Sequence, residues 1–355
     1  MIKKTAKPFY TQPTPEIYYP VTLRHALVDI IAIFLLIFFI NLGITWFLSY
    51  HITKLSHIII KTKWQLLENL QKPVDWLIVG DSTCNQGIIP ELLLEIMAET
   101  GTGLNLCTIG EVTTVDDAWL IQSYIDRFGV PPQNVLIIHG VETWWREGEP
   151  SYLAVIPNVR RKKKHGIPPL PMPFMSEVDI IRHQYLPLYT QLQTVKLSLE
   201  EYFLETNRPP KNQYYFHADG YMQFKIAGPE HVEEHYQSQV IRFKDQPFYI
   251  ADINRQTINH IITLANQYKI NVYIVDAPTY EKLYEYDAFQ IHRKQLQAWL
   301  ESVANQSDFV HYIPLVAIFS KDEMVNTNHI THDAAIVYTK QVAELLKEKR
   351  NNSGR

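Results

Sequence analysis

The sequence predicts a doubly wound α/β domain, a parallel sheet with helices on both faces, preceded by one N-terminal transmembrane helix. Three observations predict it: short apolar runs that end at glycine or polar residues, amphipathic stretches between those runs, and one uncharged apolar segment near the start. Short runs without alternation suit strands buried on both faces, and strands alternating with helices imply right-handed parallel crossovers.

Residues 1–25 are an N-terminal tail and residues 26–50 the membrane helix. Ile30 to Leu48 carries no charge over 19 residues, which at about 1.5 Å per residue approaches the ~30 Å hydrocarbon layer. Tyr18 and Tyr19 precede it and Trp46 and Tyr50 close it, as suits residues with an apolar body and a polar tip. The run exceeds the ~7–15 residues of a signal peptide, and Leu48-Ser49-Tyr50 offers no small-x-small cleavage site, so an uncleaved anchor in membrane lipid is expected. Lys3, Lys4, Lys7 and Arg24 before the span, against Lys54, Lys61 and Lys63 after it, favour a cytoplasmic N-terminus and an extracytoplasmic body.

Within 51–72, Leu55, Ile58, Ile59, Leu66, Leu67 and Leu70 recur at helical spacing. They predict an amphipathic stem or, equally, the first helix of the body. Residues 73–350 form the α/β domain. Its strand runs are Trp76 to Val79, Leu104 to Cys107, Val135 to Ile138, Val272 to Val275 and His311 to Ile313. Ala118, Ile121, Ile125 and Phe128 share one helical face, with Thr114 and Asp117 placed as a capping box and Gly129 as a left-handed stop. Ile258, Ile261, Ile262 and Ala265 make a second such face, and Ile336, Val337, Val342, Leu345 and Leu346 a third. An insertion at about 146–250 interrupts the alternation. In it, Arg160 to Lys164 followed by Pro168 to Pro173 reads as an exposed extended loop, either solvated or in contact with anionic headgroups or polymer, and Asp219-Gly220 within Phe216 to Phe224 reads as a hairpin turn.

Composition narrows the function. The 33 basic and 37 acidic residues give a net charge of -4, which argues against nucleic-acid binding. Two cysteines, Cys84 and Cys107, are too few for a disulfide framework or a four-cysteine zinc site, and the 14 histidines are scattered, so no metal and no cofactor are expected.

Doubly wound sheets hold ligands beyond the carboxyl ends of their strands. Gly80-Asp81-Ser82 follows the first strand there, which sets a hydroxyl at a helix start beside backbone N–H groups able to hold an oxyanion. A hydroxyl needs a base, and His329, in the loop Asn326 to Thr331 before the last helix, lies at the same rim.

These blocks resemble the SGNH, or GDSL-type, hydrolase superfamily. Leu77 to Ser82 looks like its nucleophile block, Asn105 to Gly110 like its second, Ile274 to Pro278 like its fourth-strand segment and Asn328 to Thr339 like its last. The resemblance implies a flavodoxin-like sheet, Ser82 as nucleophile, His329 as base and an oxyanion hole from the Ser82 and Gly110 amides. Two positions depart from the family pattern. Glu142 stands where an asparagine donor completes the oxyanion hole, and Asn326 where an aspartate orients the histidine; Asp322 is an alternative orienter and His332 an alternative base. A carboxylate donates to an oxyanion only when protonated. The N-terminal anchor is similar to that of the branch that modifies cell-envelope polymers. That likeness implies a membrane-anchored serine esterase or O-acyl(acetyl)transferase acting on an envelope glycan or other extracytoplasmic ester, with a membrane protein as a candidate acyl donor. The alternative is an inactive domain of this type that binds a glycan or a partner protein, with Trp144 and Trp145 either lining its groove or packed in the core. Cys84 and Cys107 flank the proposed nucleophile; two buried thiols are expected, or a disulfide if the domain is exported.

Overall fold

A computed structural model describes residues 23–51, 54–157, 174–204, 214–224 and 230–353. Arg160 to Lys164 and Pro168 to Pro173 lie outside the described residues. In chain order the strands are β1 Trp76–Gly80, β2 Gly103–Asn105, β3 Asn134–His139, β4 Tyr214–Phe216, β5 Met222–Phe224, β6 Asn271–Asp276, β7 Thr279–Tyr280, β8 Val310–Ile313 and β9 Ile318–Phe319. The helices are α1 Leu23–Tyr50, α2 Leu55–Asn69, α3 Ser82–Gly87, α4 Pro90–Met97, α5 Thr113–Phe128, α6 Pro150–Leu153, α7 Phe174–Tyr185, α8 Pro187–Thr190, α9 Leu192–Leu204, α10 Glu230–Asp245, α11 Asp252–Tyr268, α12 Glu281–Glu285, α13 Asp287–Ala304 and α14 His332–Ser353.

Five parallel strands form the central sheet in the order β2-β1-β3-β6-β8. Counted along the sheet's own strands this is 2-1-3-4-5, the flavodoxin-like order. Successive strand side chains face opposite sides. Leu77, Val79, Val135, Ile137, Val272 and Ile274 therefore join the core under α2, α5 and α11. Trp76, Ile78, Leu136, Ile138, Tyr273 and Val275 join the second core with α4 and α14. The apolar faces expected on the first two long helices are those that pack, Ala118, Ile121 and Ile125, then Ile258, Ile261, Ile262 and Ala265. On the third, Val342 and Leu346 pack but Val337 is exposed and Ile336 joins neither core, the buried side there being completed by Ala335 and Tyr338.

Gly129 closes α5 at φ +68 and its N–H reaches Ile125 O at 2.8 Å, as expected of a left-handed stop. The capping box is corrected. Thr114 Oγ1 donates to Asn254 Oδ1 at 2.8 Å and Asp117 turns to His139, because tertiary partners outcompete the local cap. Strand β2 stops at Asn105, short of Cys107. Asp219-Gly220 does turn the β4–β5 hairpin, with Gly220 at φ +87. A Cβ there would lie 2.0 Å from Asn105 O, so only glycine lets the hairpin dock on the end of β2.

Helix α2 buries Ile59, Ile60, Trp64 and Leu67 in the first core. Lys63, also buried on α2, donates to Asn105 O at 2.9 Å, Asn105 Oδ1 at 3.1 Å and Gly220 O. Burial pulls the Lys63 ammonium well below its usual range, while those three oxygens match its three N–H groups. The direction of α2 matters for the site. Its end, at Leu70 O, is held by Arg127 from the end of α5, whereas Trp64 reaches Asp116 at the start of α5. Helix α2 thus runs antiparallel to β1, and its N-terminal end, next in sequence to α1, lies at the carboxyl edge of the sheet.

Among the described residues one helix, over Leu23–Leu48, is long and apolar enough to cross a membrane. Its most apolar window is only 6% buried by the rest of the protein.

Candidate active site

Strands β1 and β3 pair through Gly80 and Ile138, which brings the turns after both strands together. Gly80 sits at φ +147, and a Cβ on it would fall 2.0 Å from Ile138 O. The glycine is therefore dictated by the approach of the two strands. Asp81 caps α3 through its Oδ1, accepting from Thr83 N at 2.9 Å and Thr83 Oγ1 at 2.6 Å. Its Oδ2 accepts from Gly140 N at 2.7 Å and Thr143 Oγ1 at 2.6 Å. One carboxylate thus fixes the Ser82 turn to the turn after β3.

Beneath it lies a buried charge pair. His139 Nε2 is 2.5 Å from Asp117 Oδ2, and Nδ1 is 3.6 Å from Asp81 Oδ2. Burial would lower the imidazole, but the two carboxylates overcome it and raise His139 to about 10. Burial likewise opposes ionisation of Asp81; the nearby His139 charge and the hydrogen bonds from Thr143 and Thr83 outweigh it and hold the carboxyl well below its usual range. His139 is therefore an imidazolium that anchors the base of the site.

Ser82, at the N-terminal end of α3, lines a polar cavity of about 220 Å³ together with Gly110, Glu142, Arg146, His235 and His329. The structure therefore brings the predicted serine and histidine to one space. His329 Nε2 is buried and has no hydrogen-bond partner, so the pair is not yet joined by a bond. Burial, helped by the charges of His235 and Arg146, lowers His329 to about 4 against the opposing pull of Asp81. The imidazole is neutral, with a lone pair available at neutral pH.

The remaining predicted residues are placed as follows. Asn326 Oδ1 accepts from the backbone N of Asn328 and of His329, both at 3.0 Å, so it shapes the histidine loop through its main chain. Asp322 is exposed on a one-turn helix, and His332 Nδ1 pairs with Tyr221 OH at 2.9 Å. Glu142 accepts a hydrogen bond from Asn328 Nδ2 and so ties the turn after β3 to the histidine loop. Gly110 opens a short helical turn after the second block, buried in the cavity wall. A Cβ on it would meet Arg146 Nη1 at 2.7 Å and Thr143 Oγ1 at 2.8 Å. The Arg146 guanidinium, held by Glu111 Oε1 at 3.2 Å, thus lies against the Gly110 backbone.

Trp144 and Trp145 are buried, at 1% and 4% exposure, so both pack, with an edge of Trp145 on a polar cleft beside Arg146 and Tyr249. Trp144 meets His139 and Trp299, and Trp145 meets Phe243 and His292. The expectation of free thiols is corrected: Cys84 and Cys107 are bonded to each other, with Cα atoms 5.8 Å apart, because α3 and the segment after β2 converge beside Gly80.

Sequence reasoning missed Arg146 and one wall of the cavity. Helix α10, inside the insertion, supplies His235, Ser238, Gln239 and Arg242. Their i, i+3, i+4, i+7 spacing puts them on one helical face, a polar stripe visible in the sequence. What no local pattern indicated was that this face would close over Ser82. Among the described residues no group of three His, Cys, Asp or Glu is arranged to hold a metal ion.

No family model matches the chain, and no curated protein matches it. A solved structure described as "a putative platelet activating factor from Streptococcus pneumonia" is 12% identical, covering 87% of this chain and 97% of that chain at a TM-score of 0.38.

Proposed function

We propose that this chain is a membrane-anchored serine esterase or O-acyltransferase of the SGNH type, acting on an acyl ester of a cell-envelope glycan outside the cytoplasm. The observation that carries the reading is the meeting of Ser82 and His329, from opposite ends of the domain, in one polar cavity with Gly110 in its wall. Ser82 Oγ attacks the acyl carbonyl, and His329 Nε2 takes its proton. The Ser82 and Gly110 amides hold the oxyanion, with the Arg146 charge beside Gly110 offsetting the developing negative charge in place of the missing asparagine. His329 gives that proton to the departing alkoxide, which leaves as the alcohol; the acyl group of the acyl-serine then passes to water or to a glycan hydroxyl, whose proton His329 accepts and returns to Ser82 Oγ. A disulfide beside the nucleophile fits an oxidising compartment. The apolar N-terminal helix fits an anchor, and α2 brings that end of the chain to the edge where the cavity opens.

An inactive, glycan-binding domain of the same type is the second reading. It is favoured by Asn326, whose oxygen is already taken by two backbone amides rather than by the His329 ring. Labelling with a fluorophosphonate probe separates the two. The intact protein is expected to label, and Ser82→Ala and His329→Ala to lose labelling while keeping the circular dichroism of the parent. Turnover of a generic acetyl ester should fall about 10²–10⁴-fold in His329→Ala. A folded parent that neither labels nor turns over the ester establishes the binding reading instead.

A further inference from the structure

We infer that α7, α8 and α9, the helical part of the insertion, lie in the membrane surface beside α1 with their apolar side chains in the lipid. The inference rests on α1 being an anchor that stays in the bilayer.

The contacts along α1 set the depth. Leu188 N donates to Asn41 Oδ1 at 3.2 Å, Thr45 Oγ1 donates to Gln184 O at 3.3 Å, and Tyr202 packs against Phe47 and His51 with ring centroids 5.4 and 4.7 Å away. The three helices thus accompany the last turns of α1 from His51 up to Asn41. Asn41 lies seven residues inside the end of the apolar run at Leu48, about 10 Å along a helix axis. An anchor that spans the bilayer therefore carries α8 below the headgroups, at the depth of about 5–10 Å typical of interfacial helices.

The side chains of this segment suit that position. Ile181, Leu186, Tyr189, Leu192, Tyr202 and Phe203 are exposed, Tyr189 at 81% and Phe203 at 73%. Among the other described residues of the body, exposed large apolar side chains occur at one or two per element or loop, as at Val130, Ile241, Ile291 and Val337. A concentrated apolar patch on a soluble face would promote association, whereas here it continues the uncovered surface of α1. Two of the six are tyrosines, which favour the membrane–water boundary. Four charges of the segment pair locally, Arg182 with Asp179 at 3.2 Å and Lys196 with Glu200 at 3.7 Å. The polar backbone of α8 meets a partner in Asn41, as a group taken out of water requires. The occupant of the patch is the lipid bilayer, and docking at α1 and at α7–α9 would hold the cavity at a fixed height over the membrane.

The test uses the full chain in vesicles of phosphatidylcholine and phosphatidylglycerol. An environment-sensitive fluorophore is attached in turn to Tyr189→Cys, Phe203→Cys, Phe34→Cys on α1 and Val130→Cys at the opposite edge of the sheet; the native cysteines are bonded to each other and do not compete. Thermal midpoints near that of the parent certify folding. Brominated lipid is expected to quench labels at 189 and 203 roughly twofold or more, as at 34, with little effect of aqueous iodide; label 130 should show the reverse. Lipid quenching at 34 with iodide quenching at 189 and 203 overturns the inference and leaves the anchor standing. Absence of lipid quenching at 34 removes the anchor, and the inference with it. If neither quencher reaches 189 and 203, another protein surface covers the patch and the inference fails.

Discussion

His329 enters the cavity as a neutral imidazole with a bare nitrogen, and this makes a prediction at the scale of one residue. A free histidine loses its lone pair below about pH 6.5. The burial that lowers His329 to about 4 carries that loss downward. The acid limb of kcat/KM for ester hydrolysis is expected near pH 4, with activity flat from about pH 5.5 to 7.5; a limb near 6.5 would show that the base is solvated or is another group. Ser82 was legible because it sits at a strand-to-helix junction, and His329 because it sits in the loop that leads into the last helix. Arg146 was not, since its value comes from lying against Gly110, a neighbour distant in sequence. The roles of Asn326 and Glu142 were equally hidden. Both carry hydrogen-bonding groups that suit many sites, and only their partners show that one shapes a loop and the other ties two loops together.

At the scale of elements, α2 and the β4–β5 hairpin are one assembly with the end of β2, joined through Lys63. Replacing Lys63 by Met keeps the length of the side chain but leaves Asn105 O, Asn105 Oδ1 and Gly220 O without this donor inside the protein. Buried unsatisfied acceptors cost about 1–3 kcal/mol each. Partial relief by rearrangement leaves an expected loss of about 2–4 kcal/mol in urea unfolding, and hydrogen-exchange protection should fall first in residues 214–224. No loss of stability in Lys63→Met would mean that burial of the ammonium cancels its bonds. Helix periodicity placed α5, α11 and α14, because an amphipathic face records which side meets the core. In 51–72 it found the helix but not its full face, since Ile60, Lys63 and Trp64 are buried while Ile58 and Leu66 are only half-buried. It could not say whether 55–69 stands free or docks, since both need an apolar stripe. The capping box at Thr114 failed for a related reason: a local cap is worth about 1 kcal/mol, and Asn254 and His139 offered buried partners instead.

At the scale of the whole molecule, the disulfide closes a loop from α3 to the segment after β2, across a sequence separation of 23. A loop of this size contributes about 3 kcal/mol through the unfolded chain. Reduction, or the pair Cys84→Ala with Cys107→Ala, is expected to lower the thermal midpoint by roughly 5–10 °C. An unchanged midpoint under full reduction would show that the native core already holds these segments. Taken by itself, the sequence determined the layering of the protein: one apolar helix, then strands and helices in the alternation that a parallel sheet requires, with serine and histidine at element boundaries. Those features follow from near-neighbour chemistry, periodicity, charge and turn residues, which a linear string records. The tertiary structure decided the rest. It set a polar face of the insertion over Ser82, left His329 Nε2 without a partner, placed an arginine beside Gly110, joined the two cysteines, and laid three short helices along the end of the apolar N-terminal helix. Each of these is a meeting between residues far apart in the chain, fixed by the packing of whole elements, and no local pattern carries that information.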